Sequence, residues 1–238
     1  MRFIQIAVTV GIAGVVLMPV SSTALDMGAG VKAGLAISNL YGKDIKDGDH
    51  RIDSMGGSID PGLGFAGYGL FNIKFIDYIG AEVGVGFGMK GRTTTLEQSG
   101  MSTKMSLNMG YFQIPVLIQG IIPLGAVKPF IEAGPSIDIL MYSSEKIKTN
   151  GAPYPLANLD TTIDAKDQMA AFDLGIAMGG GVEVPLGPGS IVLDIRYTLG
   201  LMTTDIVTND EKALNPNAKA LERKTWLLGI MTGYTYKF

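Results

Sequence analysis

The 238-residue chain has no cysteine, a single histidine and a single tryptophan. Without thiols there is no disulfide framework and no thiolate metal site. His50 stands in a polar stretch, Lys46-Asp47-Gly48-Asp49-His50-Arg51-Ile52-Asp53. That setting reads as a solvated loop, and one imidazole alone does not make a zinc or copper centre. No cofactor is expected. Charged residues are scarce, 17% of the chain against a usual ~25%. Basic charge in particular is not in excess: 19 Lys and Arg face 22 Asp and Glu, for a net charge of −3. A nucleic-acid partner would call for a clustered basic face, so none is expected. Beyond residue 24, apolar runs are broken every few residues by Gly, Pro or charge. No later stretch therefore reads as a transmembrane helix.

The one long apolar run lies at the start. Met1-Arg2 is a short basic region, residues 3–20 carry no charge, and Ser22-Thr23-Ala24 puts small residues at −3 and −1 of an export cleavage site. Residues 1–24 are expected to be a cleaved signal peptide and 25–238 the mature domain. An uncleaved N-terminal anchor is the alternative, since the run is long enough to span a bilayer.

What the chain has in abundance is glycine, 33 residues, about twice the usual ~7% share. Residues 79–90 show how it is used. Ile79, Ala81, Val83, Val85, Phe87 and Met89 alternate with Gly80, Glu82, Gly84, Gly86, Gly88 and Lys90. In a strand these two sets face opposite ways. One face is wholly apolar, and the other is tiny or charged. A soluble sandwich strand would carry a richly polar outer face. Here the pattern fits a strand with lipid outside and a crowded, curved interior.

Seven further segments alternate in the same way, at 27–40, 63–74, 105–119, 127–141, 171–184, 190–201 and 225–238. The fourth in chain order is ambiguous in its first half, where Leu107 and Met109 share the parity of the inward residues. A bulge near Gly110 would reconcile them. The connections alternate long and short, as they do between external loops and periplasmic turns. A strand in lipid cannot leave backbone groups unpaired, so the sheet must close. The expected fold is all-β, an eight-stranded antiparallel transmembrane barrel of outer-membrane type. Strand ends stay open, as does a count of ten. A soluble lipocalin-like barrel is the alternative fold; it would place large apolar residues inside and polar ones outside.

At the C-terminus, Trp226, Tyr234, Tyr236 and the terminal Phe238 suit a membrane-interface girdle. They also resemble the closing strand of bacterial outer-membrane proteins. That resemblance implies a recognition signal for the barrel-insertion machinery.

Four motifs in order resemble the PorT-like outer-membrane β-barrel proteins, the "porin family" or outer membrane protein beta-barrel domain. The first is Val31-Lys32-Ala33-Gly34-Leu35 with Ser38-Asn39-Leu40, and the second Phe112-Gln113-Ile114-Pro115-Val116-Leu117. The third is Lys128-Pro129-Phe130-Ile131-Glu132-Ala133-Gly134-Pro135-Ser136, and the fourth Ile195-Arg196-Tyr197-Thr198-Leu199-Gly200-Leu201. The resemblance runs from about residue 27 to 238. It implies a small barrel in a Gram-negative-type outer membrane and no single activity.

Strand parity projects Lys32, Lys74, Glu82, Lys90, Lys128, Glu132, Asp138, Asp173, Glu183, Asp194, Arg196 and Lys237 inward. Eight strands enclose only enough room for side chains, so these charges must pair. The lumen network is expected to involve Glu82, Lys90, Glu132, Asp173, Glu183, Asp194 and Arg196. Within it Arg196 is expected among Glu82, Glu132 and Asp194, because guanidinium can bridge several carboxylates. Catalysis is the rival use of these carboxylates. With no Ser–His pair, no metal cluster and a packed lumen, no enzyme is expected. Gly84-Val85-Gly86 and Gly179-Gly180-Gly181 lie within strands and so read as close packing, not as phosphate loops.

Three roles are compatible with this reading: a structural or surface-interaction barrel, a narrow passive channel, or an accessory part in secretion or assembly. The expected partners are outer-membrane lipid, the insertion machinery, and an unidentified external ligand held by loops such as 142–169 with Pro153-Tyr154-Pro155. The barrel is expected to be monomeric.

Overall fold

The computed structural model describes residues 26–98, 100–151, 159–206 and 220–238. The expected signal peptide (1–24) and the Pro153-Tyr154-Pro155 turn lie outside the described residues. Among the described residues nine strands form: β1 (Asp26–Tyr41), β2 (Ser58–Ile76), β3 (Ile79–Gln98), β4 (Met101–Ile121), β5 (Lys128–Asn150), β6 (Leu159–Asp164), β7 (Phe172–Leu186), β8 (Gly189–Gly200) and β9 (Lys224–Lys237). One helix, α1 (Lys43–Ser54), follows β1, and a 3-10 turn covers Lys166–Gln168.

Eight of the strands close a ring in the order β1-β2-β3-β4-β5-β7-β8-β9, with β9 pairing back onto β1. Every pairing in the ring is antiparallel. The short β6 pairs only with the outer end of β5. Among the described residues no helix is long and apolar enough to cross a membrane.

Burial is inverted relative to a soluble barrel. Leu63 is 80% exposed, whereas Asp138 and Asp194 are 0% exposed. The large apolar residues Leu35, Ile118 and Ile131 also point outward. This excludes the lipocalin-like alternative, since such a surface would be unstable in water. Aromatic side chains gather at both ends of the outward band. Phe65, Phe87 and Tyr142 contact one another in series at one end, where Tyr197 also stacks on Trp226. Phe71, Phe238 and Tyr236 do so at the other. Aromatic rings at both ends of the apolar band are the arrangement that the interface girdles of transmembrane barrels take.

Close backbone approach explains inner glycines such as Gly86 and Gly80. A Cβ on Gly86 would collide with the Gly67 carbonyl oxygen, and one on Gly80 would lie 2.9 Å from the Ile73 carbonyl oxygen. Such space exists only for glycine.

The structure departs from the sequence reading beyond the long-connection end. The strands run on past the membrane: β3 and β4 continue as a hairpin to Gln98 and Met101, and β5 continues to Asn150 and pairs with β6. Segments read as loops are thus largely sheet. The first long connection contains α1, whose Ile45 packs on Leu40, Met109, Tyr111 and Leu140.

The bulge expected near Gly110 lies opposite it, in β5 and not in β4. Gly110 pairs with Tyr142 and Tyr111 with Leu140, so Met141 is the extra residue. The parity of β4 never breaks. Met109 is fully buried and belongs to an apolar layer in the outer half of the lumen.

Candidate functional site

The inward charges sort into three clusters along the barrel. The central one draws on alternate strands of the ring: β1 (Lys32), β3 (Glu82), β5 (Glu132) and β8 (Asp194 and Arg196). Arg196 donates from Nε to Glu132 Oε1 at 2.7 Å, and from Nη2 to Glu82 Oε1 at 2.6 Å and Asp194 Oδ2 at 3.2 Å. Lys32 Nζ lies 2.8 Å from Glu82 Oε1 and 2.5 Å from Asp194 Oδ2. Gln119 Nε2 donates to Glu132 Oε2 at 3.0 Å. Two cations and three carboxylates thus fill one cross-section of the lumen.

A second cluster lies on the side of the long connections. Lys90 Nζ donates to Asp138 Oδ2 at 2.7 Å and to Thr225 Oγ1 at 2.9 Å, and it lies 3.7 Å from Asp173 Oδ2. Gln113 Nε2 donates to the same Asp138 oxygen at 2.7 Å, and Ser136 Oγ donates to Asp138 Oδ1 at 2.6 Å. Tyr111 turns its ring to Lys90, 4.5 Å from its centroid.

The third cluster is at the short-turn mouth, where Lys237 donates to Glu183 and, at 2.9 Å, to Ser190 Oγ. Lys74 approaches Glu183 to 4.0 Å.

The seven residues singled out for the lumen network therefore do not form one constellation. Glu82, Glu132, Asp194 and Arg196 meet; Lys90 and Asp173 form part of a separate layer; Glu183 sits at the inner rim. Lys32, Asp138, Gln113 and Gln119 belong to these networks but were not singled out. Parity already turned Lys32 and Asp138 inward. Their partners are set by how the ring closes, which parity does not encode. The four aromatics of the last strand separate as well. Trp226 is at the long-connection end, while Phe238 at the opposite end donates its backbone N–H to the Met27 carbonyl at 3.0 Å.

Above the second cluster, Leu40, Ile45, Met109, Tyr111 and Leu140 pack as an apolar layer, with Leu107 and Met169 against it. Beyond it opens a cavity of about 1020 Å³. Its walls include α1 and the strand extensions. Ion pairs brace them: Arg92 with Asp49 at 2.6 Å and Arg223 with Asp205 at 2.8 Å. The Glu222 N–H also donates to Asp44 Oδ2 at 2.5 Å, tying the approach to β9 onto α1. At the other mouth a cavity of about 30 Å³ ends on Gln119. Among the described residues, no group of three His, Cys, Asp or Glu side chains is set to hold a metal.

This closed, inside-out ring with charged layers across its lumen agrees with one family. The outer membrane protein beta-barrel domain matches residues 21–205 of the chain. The chain belongs to that family. It is an outer-membrane protein, held in the lipid of that membrane by its strands. None of the curated proteins matches it in sequence. Among solved structures, a major outer membrane protein from Thermus thermophilus is 14% identical, with 91% of this chain and 100% of that one covered and a TM-score of 0.45. Neisserial surface protein A is 11% identical, with 88% and 97% covered and a TM-score of 0.40. OprG from Pseudomonas aeruginosa is 13% identical, with 89% and 95% covered and a TM-score of 0.40.

Proposed function

We propose that this member of the outer membrane protein beta-barrel domain family is a sealed barrel, without catalysis, that works through its external face. The observation that carries this reading is the stack of layers beneath the external cavity. An apolar layer and two charged cross-sections succeed one another, and Arg196, Lys90, Lys32 and Met109 are each 2% exposed or less. An eight-stranded ring has no further room for a passage. What lies outside the membrane is well built by contrast. The β2–β6 extension, α1 and the braced cavity present a fixed surface to which an external ligand can bind. The four motifs noted above support a place among the PorT-like branch. The last strand supports delivery by the insertion machinery. Within the ring every strand is paired on both sides, so the membrane-spanning sheet offers no edge to a second copy, which supports a monomer.

Single-channel recording on the refolded protein in a planar bilayer tests this. Silence is expected. Steady openings would overturn it in favour of a narrow passive channel.

A further inference from the structure

Above the outer girdle, the lipid-facing side of β4 and β5 changes chemistry without changing strand or register. On β4 the even residues that carry Phe112 outward continue to Ser106, Lys104 and Ser102. On β5 the residues beyond the Met141 bulge that carry Tyr142 outward continue to Lys146 and Lys148. Lys104 pairs directly with Lys148, and Lys146 pairs with Ser106. Like charges placed directly opposite on one face repel. Only Lys148 has a carboxylate partner, Asp160 at 3.1 Å; among the described residues Lys104 and Lys146 have none. Hydroxyls flank the ammonium groups across the strands: Thr95 beside Lys104, and Ser106 and Thr162 on either side of Lys146. The carboxylates of this face stand at its borders, Asp60 on β2, Glu97 near the tip of β3, and Asp160 and Asp164 on β6.

We propose that this face binds the phosphate groups of outer-leaflet lipid headgroups. Two observations choose the occupant. The patch is continuous with the lipid-facing band on the same strands. The ammonium groups of Lys104 and Lys146 and the flanking hydroxyls also offer donors and positive charge to an anion, as a phosphate requires. The height fits too. Lys146 is four residues past Tyr142, roughly 10 Å along the membrane normal for a tilted strand. The headgroup zone extends about 5–8 Å beyond the hydrocarbon, and a lysine stem can bend its ammonium down into it.

The test uses the full chain reconstituted in phosphatidylcholine membranes. Spin-labelled phosphatidic acid reports its association relative to phosphatidylcholine. A preference for phosphatidic acid is expected, falling about fivefold for each lysine removed in K104Q/K146Q. Unchanged heat-modified gel mobility would show that this variant is folded. Equal preference in both proteins would overturn the proposal. Independently of any variant, raising the salt to about 1 M should abolish the wild-type preference by screening, and its persistence would overturn the proposal. Spin-labelled stearate held as well as phosphatidic acid would rule out phosphate as the recognised group. Displacement of the lipid by millimolar inorganic phosphate would mark a soluble-anion site and overturn the lipid source.

Discussion

The guanidinium of Arg196 lies 5.5 Å from the ring centroid of Tyr68, and the hydroxyl of that tyrosine donates to Gln113 Oε1 at 2.7 Å. Tyr68 thus stands between the two charged layers. Its ring serves the Arg196 layer through a cation–π contact, and its hydroxyl serves the Lys90 layer through Gln113. The layers meet through an aromatic side chain and not through a shared ion pair.

Replacing Arg196 with Met should cost about 3–5 kcal/mol, because Glu132 would stay buried without a cation and Glu82 would keep only Lys32. The midpoint of heat-modified gel mobility should fall accordingly. Adding E82Q and E132Q to R196M should restore much of the loss, since the stranded charge is then gone. An R196M protein as stable as the wild type would show that the layer contributes nothing to closure.

Ser38 offers a second test. The β2–β3 ladder breaks between Pro61 and Ala66. There the Gly91 N–H donates to Ser38 Oγ at 2.8 Å, while the same hydroxyl lies 3.3 Å from the Gly91 carbonyl. A side chain from β1 thus supplies what the ladder omits. The S38A variant should lose about 1–3 kcal/mol and expose the Gly91 amide to faster hydrogen exchange than its neighbours. Unchanged exchange at Gly91 would show that another group satisfies it.

Gly86 on the inner face and Gly69 on the outer face should differ sharply. A Cβ at Gly86 would strike the Gly67 carbonyl oxygen, whereas one at Gly69 would lie 3.8 Å from the Val85 carbonyl oxygen, an ordinary contact. G86A should refold poorly or with a much lower midpoint, and G69A should refold like the wild type. Equal refolding yields would refute the close-approach explanation.

The absence of cysteine makes accessibility easy to measure. Met109 is fully buried beneath Ile45 of α1. A thiol at M109C should resist a water-soluble maleimide, and adding I45D should expel α1 and make it reactive. Ready labelling of M109C alone would mean that the apolar layer does not seal the outer end.

The eight ring strands were legible because lipid on one side and a crowded lumen on the other impose a two-residue period. The extensions were not, because their outer faces are polar and their inner faces mix buried Arg92 with scattered apolar residues such as Leu107. Gly91-Arg92-Thr93-Thr94-Thr95 carries no apolar alternation, yet it forms part of β3. α1 was hidden by composition: its apolar contact with the barrel rests on Ile45 and Ile52, and Gly48 lies within it. The setting of Arg196 could be read from charge type and parity. The pairing of Lys32 with Asp194, 162 positions apart, could not, because it depends on which strands meet across the ring. Leu107 and Met109 read as out of phase beside an inner face that is tiny or charged elsewhere. The interior in fact changes from charged to apolar partway along the barrel.

The central layer draws on every second strand, and apart from the Arg196–Asp194 contact within β8 its charges meet across the ring. A sheet that stops before β8 holds Glu82 and Glu132 without Arg196, and β8 alone brings a guanidinium with no carboxylate from the opposite wall. The pairing of Arg196 with Glu82 and Glu132 and the closure of the ring are then a single event. A partly assembled barrel carries mismatched charge in its seam and is disfavoured in lipid, whereas the closed ring hides it. The layer that blocks the lumen in the finished protein would thus discriminate, during assembly, between a ring that has closed and one that has not.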